Sequence, residues 1–181
     1  MAVKAILRIG NPFLQKSTKM VNRIDDELRE GIIQDMLDTM KAEDGAGIAA
    51  PQIGVNMRIV IFGVEHNPRY PDAEAIPMTI LINPQITTLT SEVESAWEGC
   101  LSVPGFRGLV PRYKSIRYTG RDENGGMINR EVSGFHARVV QHEVDHLNGI
   151  LYPEKIKNLR DFGMLEELEA AEVIPKVGPE S

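Results

Sequence analysis

Two histidines and a glutamate stand in the string His142-Glu143-Val144-Asp145-His146, an HExxH. On a helix, residues four apart lie one turn apart on the same face, so the two imidazoles can hold one metal ion from a single rigid element. Glu143 sits about 100° round from His142. It can reach a water on that ion without being a ligand. This is the arrangement of metal-assisted hydrolysis. A chance match and a purely structural metal site are the two other readings of the string.

A catalytic ion needs a third protein ligand and an open position for water. The remaining candidates are His66, His136 and Cys100, the chain's single cysteine. His66 falls among Pro68, Pro71 and Pro77 and is expected to be solvated. His136 opens the motif helix and is expected at the surface or as a helix-end partner. Cys100 lies in Trp97-Glu98-Gly99-Cys100-Leu101-Ser102-Val103-Pro104, between expected strands, and is the better candidate. A thiolate with two imidazoles suits zinc or ferrous iron rather than magnesium or calcium. A lone cysteine is also a common small core residue, and spacing alone does not bring it to the histidines.

These side chains need elements to hold them. Phe135 to Leu147 has helical spacing, with Phe135, Val139, Val140, Val144 and Leu147 on or near one face and Asn148-Gly149 as the stop. A first helix is expected from about Asp25 to Lys41. There Leu28, Ile32, Met36 and Met40 recur every four residues and Asp25 or Asp26 caps the start. Gly45-Ala46-Gly47 reads as a turn or a close backbone approach. Strands are expected over Arg58–Val64 and Thr79–Ile82, the latter ended by Asn83-Pro84. More follow near Thr88–Glu94, Phe106–Val110, Tyr113–Gly120 and Met127–Val132, with Glu123-Asn124-Gly125-Gly126 as a hairpin turn. Glu65 to Pro77 is expected as a loop. A last helix is expected from about Asn158 to Ala171, with Leu159, Phe162, Leu165 and Leu168 as its stripe. The expected fold class is α+β: antiparallel β-sheets packed around a central helix carrying HExxH, with an N-terminal and a C-terminal helix. No linker divides the chain, so 1–181 is expected to be one catalytic domain with a loose tail at 175–181.

The 181 residues suffice for a core without disulfides, and one cysteine forms no intramolecular pair. The net charge of −6 argues against direct nucleic-acid binding. No stretch approaches the roughly 20 apolar residues of a membrane span. The opening run Ala5-Ile6-Leu7 is cut short by Arg8, so no targeting segment is seen and a cytoplasmic location is expected.

Three blocks of the sequence resemble the peptide deformylase family. Gly45-Ala46-Gly47-Ile48-Ala49-Ala50-Pro51-Gln52 looks like the family's GxGxAAxQ. Glu98-Gly99-Cys100-Leu101-Ser102 looks like its EGCLS, and Gln141-His142-Glu143-Val144-Asp145-His146 like its QHExDH. They come in the family's order and separation, and the likeness runs from about the first residues to Lys157. The resemblance implies removal of the N-formyl group from the formylmethionine of nascent polypeptides. It implies Cys100, His142 and His146 as ligands of one divalent metal ion, ferrous iron expected and zinc often in its place. It implies Glu143 as general acid/base, and the Gln52 amide and Leu101 N–H as donors to the formyl oxygen. Gly47 contacts the substrate backbone on this reading; Ala46, Arg107, Phe135 and Val139 shape the pocket for it.

Glu98 is expected to orient a ligand histidine, because metal-bound imidazoles usually donate their other N–H to an acceptor. Trp97 is expected to pack, and Asp145 to be a solvated helix-surface charge. Gly105 and Arg138 depart from many bacterial members, and Gly134-Phe135 with Ala137-Arg138 looks closer to the subgroup that includes organellar enzymes. From Asp161 onward there are six acidic residues and one lysine, which opposes docking on the ribosome through a basic helix. A metallopeptidase or other deacylase on the same site, and an inactive metal-binding relative, are the competing readings.

Overall fold

The computed structural model of the chain describes residues 2–64 and 75–175. His66, Pro68 and Pro71 and the tail from 176 onward lie outside the described residues. In chain order the regular elements begin with a π-helical turn, Leu28–Ile33, that runs into α1 (Gln34–Ala42). Then come β1 (Gly47–Ala49), β2 (Ile59–Val64), β3 (Ile76–Thr88), β4 (Val93–Cys100), β5 (Val103–Tyr113), β6 (Ser115–Arg121) and β7 (Met127–Ser133). The chain closes with α2 (Gly134–Leu147), β8 (Phe162–Met164) and α3 (Leu165–Ala170). The architecture is α+β. One antiparallel sheet has the order β1-β2-β3-β6-β7, and a second has β4-β5-β8.

β2 explains how the larger sheet is sandwiched. Its side chains alternate between faces. Val60 and Phe62 pack with Leu81, Ile116 and Tyr118 against Ala137, Val140, Val144 and Leu147 of α2. Ile59 and Ile61 pack with Ile48 and Ile82 against Leu28, Ile33, Met36 and Met40 of the first helix. Both faces are covered, so the strand reads as a continuous apolar run rather than an alternation. The HExxH helix is thereby seated on the sheet by its apolar side.

Several elements differ from expectation. In the first helix the buried residue after Leu28 is Ile33, not Ile32, because the π turn advances the buried face by five residues instead of four. Asp25 does cap it, its carboxylate accepting from the Leu28 N–H at 3.0 Å. β3 does not stop at Asn83-Pro84. A register shift between Ile82 and Gln85 absorbs the proline, and the strand runs on against β6. Asn83 takes a φ of 54° there, fixed by its side chain bonding both the N–H and the carbonyl of Val21 at 2.9 Å. Pro77, expected in a loop, already belongs to β3, and most of the stretch expected as a strand at Thr88–Glu94 is the connection to β4.

The expected C-terminal helix from Asn158 breaks into a 3-10 turn (Leu159–Asp161), β8 and the short α3. β8 is drawn into the second sheet by pairing with β5, Arg107 opposite Gly163, while Phe162 stacks on Phe106 at 5.1 Å. Leu159 is 77% exposed, so the supposed stripe is no single face.

An arm before the first helix crosses the molecule. The Leu7 N–H donates to the Gln52 carbonyl at 2.8 Å, the Ile9 N–H to the Ser102 carbonyl at 2.7 Å, and the Thr18 N–H to the Leu147 carbonyl at 2.9 Å. Leu14 anchors the arm in a third core cluster with Val103, Val110, Leu151 and Tyr152. Gly149, with φ of 75°, lets the chain leave α2 beneath this arm; a Cβ there would strike the Gln15 carbonyl.

Candidate active site and metal centre

α2 presents His142, Glu143 and His146 toward the end of β4, where Cys100 sits. The three donor atoms of Cys100, His142 and His146 all lie within 4.8 Å of one another, and Cys100 Sγ is 3.3 Å from His146 Nε2. His146 is 2% exposed. His136 is elsewhere, its Nε2 3.3 Å from the Tyr118 hydroxyl and its ring against Phe62, so it is a partner at the helix start.

The donor set fits a divalent ion on two grounds. Sulfur with two imidazoles is a donor combination suited to zinc or ferrous iron. In addition, Glu143 Oε2 is buried with no hydrogen-bond partner among the described residues, where buried polar atoms are normally satisfied. Burial drives the His146 pKa well below its ordinary value, leaving a neutral imidazole ready to ligate. Burial pushes the His142 pKa down, but the neighbouring Cys100 and Glu98 outweigh it and raise the pKa well above its ordinary value. A bound cation would be favoured by the same neighbours.

Glu98, on β4 and 4% exposed, points Oε2 at Nδ1 of His142 at 2.9 Å. Arg112 of β5 grips the same carboxylate twice, Nε to Oε1 and Nη2 to Oε2, each at 2.9 Å. Burial raises the Glu98 pKa; the bonds from Arg112 and His142 outweigh it and hold the carboxyl well below the usual range. Arg112 also reaches Asp145, which in turn lies 3.4 Å from Lys155 Nζ. Asp145 is therefore a structural ion-pair member and not the solvated charge the sequence suggests.

Glu143 lies against Gly47 of β1 so closely that a Cβ on Gly47 would overlap its carboxylate. Burial pushes the Glu143 carboxyl up to about 7, which suits proton transfer in both directions near neutral pH. Gln52, in a 3-10 turn (Ala50–Ile53), is 1% exposed. Its Oε1 accepts from the Ala49 N–H at 2.8 Å. Its Nε2 donates to Ser102 Oγ at 3.1 Å and toward Cys100 Sγ at 3.6 Å.

One cleft gathers Ala46, Gly47, Gln52, Glu98, Cys100, Leu101, Arg107, Phe135, Val139, His142 and Glu143. Trp97 and Arg138 line it as well, so Trp97 borders the cleft rather than merely packing. Arg107 folds across Gly99, its Nη1 donating to the Phe106 carbonyl at 2.9 Å. Sequence reasoning did not single out Arg112 or Ser102. Arg112 carries no spacing signal, and only the pairing of β4 with β5 brings it to Glu98.

Such a site, on a helix laid across an antiparallel sheet, is that of a mononuclear metal hydrolase. The polypeptide deformylase family profile matches residues 3–162, and the chain belongs to that family. It is 56% identical over 172 residues to peptide deformylase 1 of Nitrosomonas europaea, covering 95% of this chain and 98% of that one. It is 56% identical over 166 residues to peptide deformylase 1 of Bordetella pertussis, covering 92% and 94%. The structure of a class I type b peptide deformylase from Acinetobacter baumannii bound to Met-Ala-Ser superposes with a TM-score of 0.80 at 38% identity, covering 86% of this chain and 99% of that one. The Ehrlichia chaffeensis peptide deformylase gives 0.80 at 29% identity, covering 96% and 100%.

Proposed function

We propose that this chain removes the formyl group from the N-terminal formylmethionine of newly synthesised polypeptides, with the HExxH helix as the centre of one catalytic domain. The observation that carries this is the convergence of Cys100, His142 and His146 to within 4.8 Å beside Glu143, in a chain of the deformylase family.

Cys100, His142 and His146 hold one divalent ion, ferrous iron on the family resemblance, with zinc as a substitute. When bound, that ion supplies Lewis acidity, making a water nucleophilic near neutral pH. Glu143 takes the proton as the water oxygen bonds to the formyl carbon. It passes that proton to the departing amine nitrogen as the C–N bond breaks, giving formate and a free N-terminus. The Gln52 amide and the Leu101 N–H donate to the formyl oxygen while it carries negative charge. Gly47 offers its backbone to the substrate chain. Ala46, Phe135 and Val139 wall the methionine side chain, and Arg107 stands at the mouth. Glu98 fixes the His142 ring.

A cytoplasmic location fits this proposed substrate. Among the described residues no helix is long and apolar enough to cross a membrane. The acidic stretch from Asp161 makes docking on the ribosome through charge unfavourable. The test compares formyl-Met-Ala-Ser, acetyl-Met-Ala-Ser and unmodified Met-Ala-Ser. Release of formate from the first, with little turnover of the others, is expected. Turnover confined to the last two would make the chain a deacylase or peptidase instead.

A further inference from the structure

Arg138 is an arginine kept 8% exposed on α2, one helical turn before His142. Among the described residues, the hydrogen bonds of its guanidinium go to the second sheet. Nη1 donates to Glu98 Oε1 at 2.7 Å and to the Val110 carbonyl at 2.8 Å, and Nη2 to the Glu94 carbonyl at 2.7 Å. His142 meets the other oxygen of the same carboxylate, Oε2, at 2.9 Å. Two side chains a turn apart on one helix thus grip the two oxygens of one carboxylate on a strand.

Neutralising Glu98 does not by itself require this, because Arg112 already binds it through two nitrogens. Arg112, however, comes from β5, the strand paired with β4, and reaches α2 only indirectly, through Asp145 beyond His142. Arg138 is the cation borne by the helix itself that bonds Glu98 directly.

We propose that Arg138 is a positioning residue of the metal centre. With His142 it forms a two-point clamp on Glu98 that sets the rotation of α2 about its axis, and so aims His142 and His146 at Cys100. Without the guanidinium the helix keeps one direct bond to Glu98, from His142, beside the indirect link through Arg112 and Asp145, and the imidazoles lose part of their fixed bearing on the sulfur. The metal arm of this proposal stands apart from the deformylase reading, and only its kinetic arm rests on that reading.

The test loads wild type, R138M and R138K with Co(II), using the visible absorption of the ion and its rate of release into a chelator. R138M keeps the bulk of the side chain without its donors. Its spectrum is expected to change and its release to quicken by about 10-fold, the lower end for loss of a ligand-orienting partner. R138K, which retains a cation able to reach Glu98 Oε1, recovers part of both. Turnover of formyl-Met-Ala-Ser by R138M falls in kcat by about as much, with KM little changed. A soluble R138M with the wild-type Co(II) spectrum and release rate overturns the proposal. Should R138M be insoluble, R138Q decides: it must release Co(II) faster than wild type, and a wild-type rate in it overturns the proposal. Wild type that binds Co(II) but leaves formyl-Met-Ala-Ser intact sinks the deformylase reading alone. Wild type that takes up no Co(II) sinks both.

Discussion

Gln52 and Ser102 meet across 50 residues of sequence, the amide Nε2 donating to the serine Oγ at 3.1 Å in a wholly buried contact. With the Ala49 N–H on Oε1, this leaves the carboxamide little freedom to rotate. Ser102→Ala removes one of these restraints, leaving the Ala49 N–H and the longer approach to Cys100 Sγ, and leaves the donor present but loosely aimed. We expect kcat to fall about 10-fold, less than the roughly 10²–10³ for outright loss of an oxyanion donor, with KM within about twofold. Steady-state kinetics on formyl-Met-Ala-Ser check this, and an unchanged kcat would mean that Ser102 does not aim the amide.

Glu143→Ala should keep the metal and lose the chemistry. The ligands are other residues, so metal content by elemental analysis stays near wild type. Turnover drops by about 10²–10⁴, the usual share of a general acid/base. A variant retaining most of its rate would take Glu143 out of the mechanism.

Cys100→Ser replaces the soft sulfur donor with a hard hydroxyl at the point where it lies 3.3 Å from His146 Nε2. Affinity for zinc or ferrous iron is expected to weaken by at least about 10-fold. Chelator competition measures it, and identical affinity in the two proteins would point to a different third ligand.

Gly47→Ala tests the tight approach of β1 to α2. The added methyl would occupy the space of the Glu143 carboxylate, and the backbone of β1, paired with β2 with Gly47 opposite Phe62, cannot easily yield. Displacement of a catalytic group by about 1 Å costs on the order of 10²-fold in rate. The expected outcome is a folded, metal-loaded protein with kcat/KM down by about that factor. A fully active variant would show that Glu143 has room to move.

The arm is pinned at its beginning by Asp35, whose carboxylate accepts from the Ala2 N–H at 3.0 Å and pairs with Lys4 Nζ at 3.1 Å. The Lys4 bond, against a smaller opposing effect of burial, lowers the Asp35 pKa below its ordinary 3.8. A depressed folded-state pKa means that this anchorage is fully present above about pH 4 and is lost as pH falls through the folded value. Protection of the Ala2 amide, taken as its exchange rate relative to the intrinsic rate at each pH, is therefore expected to fall below about pH 4 in wild type and to be low at every pH in Asp35→Asn. Equal protection in the two proteins at neutral pH would rule out this anchor.

Much of the site was legible because its chemistry is local. The HExxH needs only a helix to place two imidazoles together, and Phe135–Leu147 has the period of one. Cys100 could be nominated but not placed, since its approach depends on how the hairpin of β4 and β5 lies against α2. The ion-pair cluster was illegible for the same reason: Arg112 and Glu98 meet by strand pairing, and Asp145 looked like any surface carboxylate on a helix. The fold was read best in α1, which buries one face, and in β2, whose two covered faces give an unbroken apolar run. It was read worst in the stretch from Asn158, where pairing of β8 with β5 overrides an apparent helical stripe.

The arm formed by residues 7–18 contains no metal ligand and no acid or base, yet its backbone is bonded to Gln52, to Ser102 and to the end of α2. Two of the three motif blocks, and the residue that follows the third, are thus stitched to one common thread. A protease cut or an inserted linker within that thread would let the blocks drift independently while both sheets stayed intact, leaving a soluble protein that looks healthy by every measure except turnover.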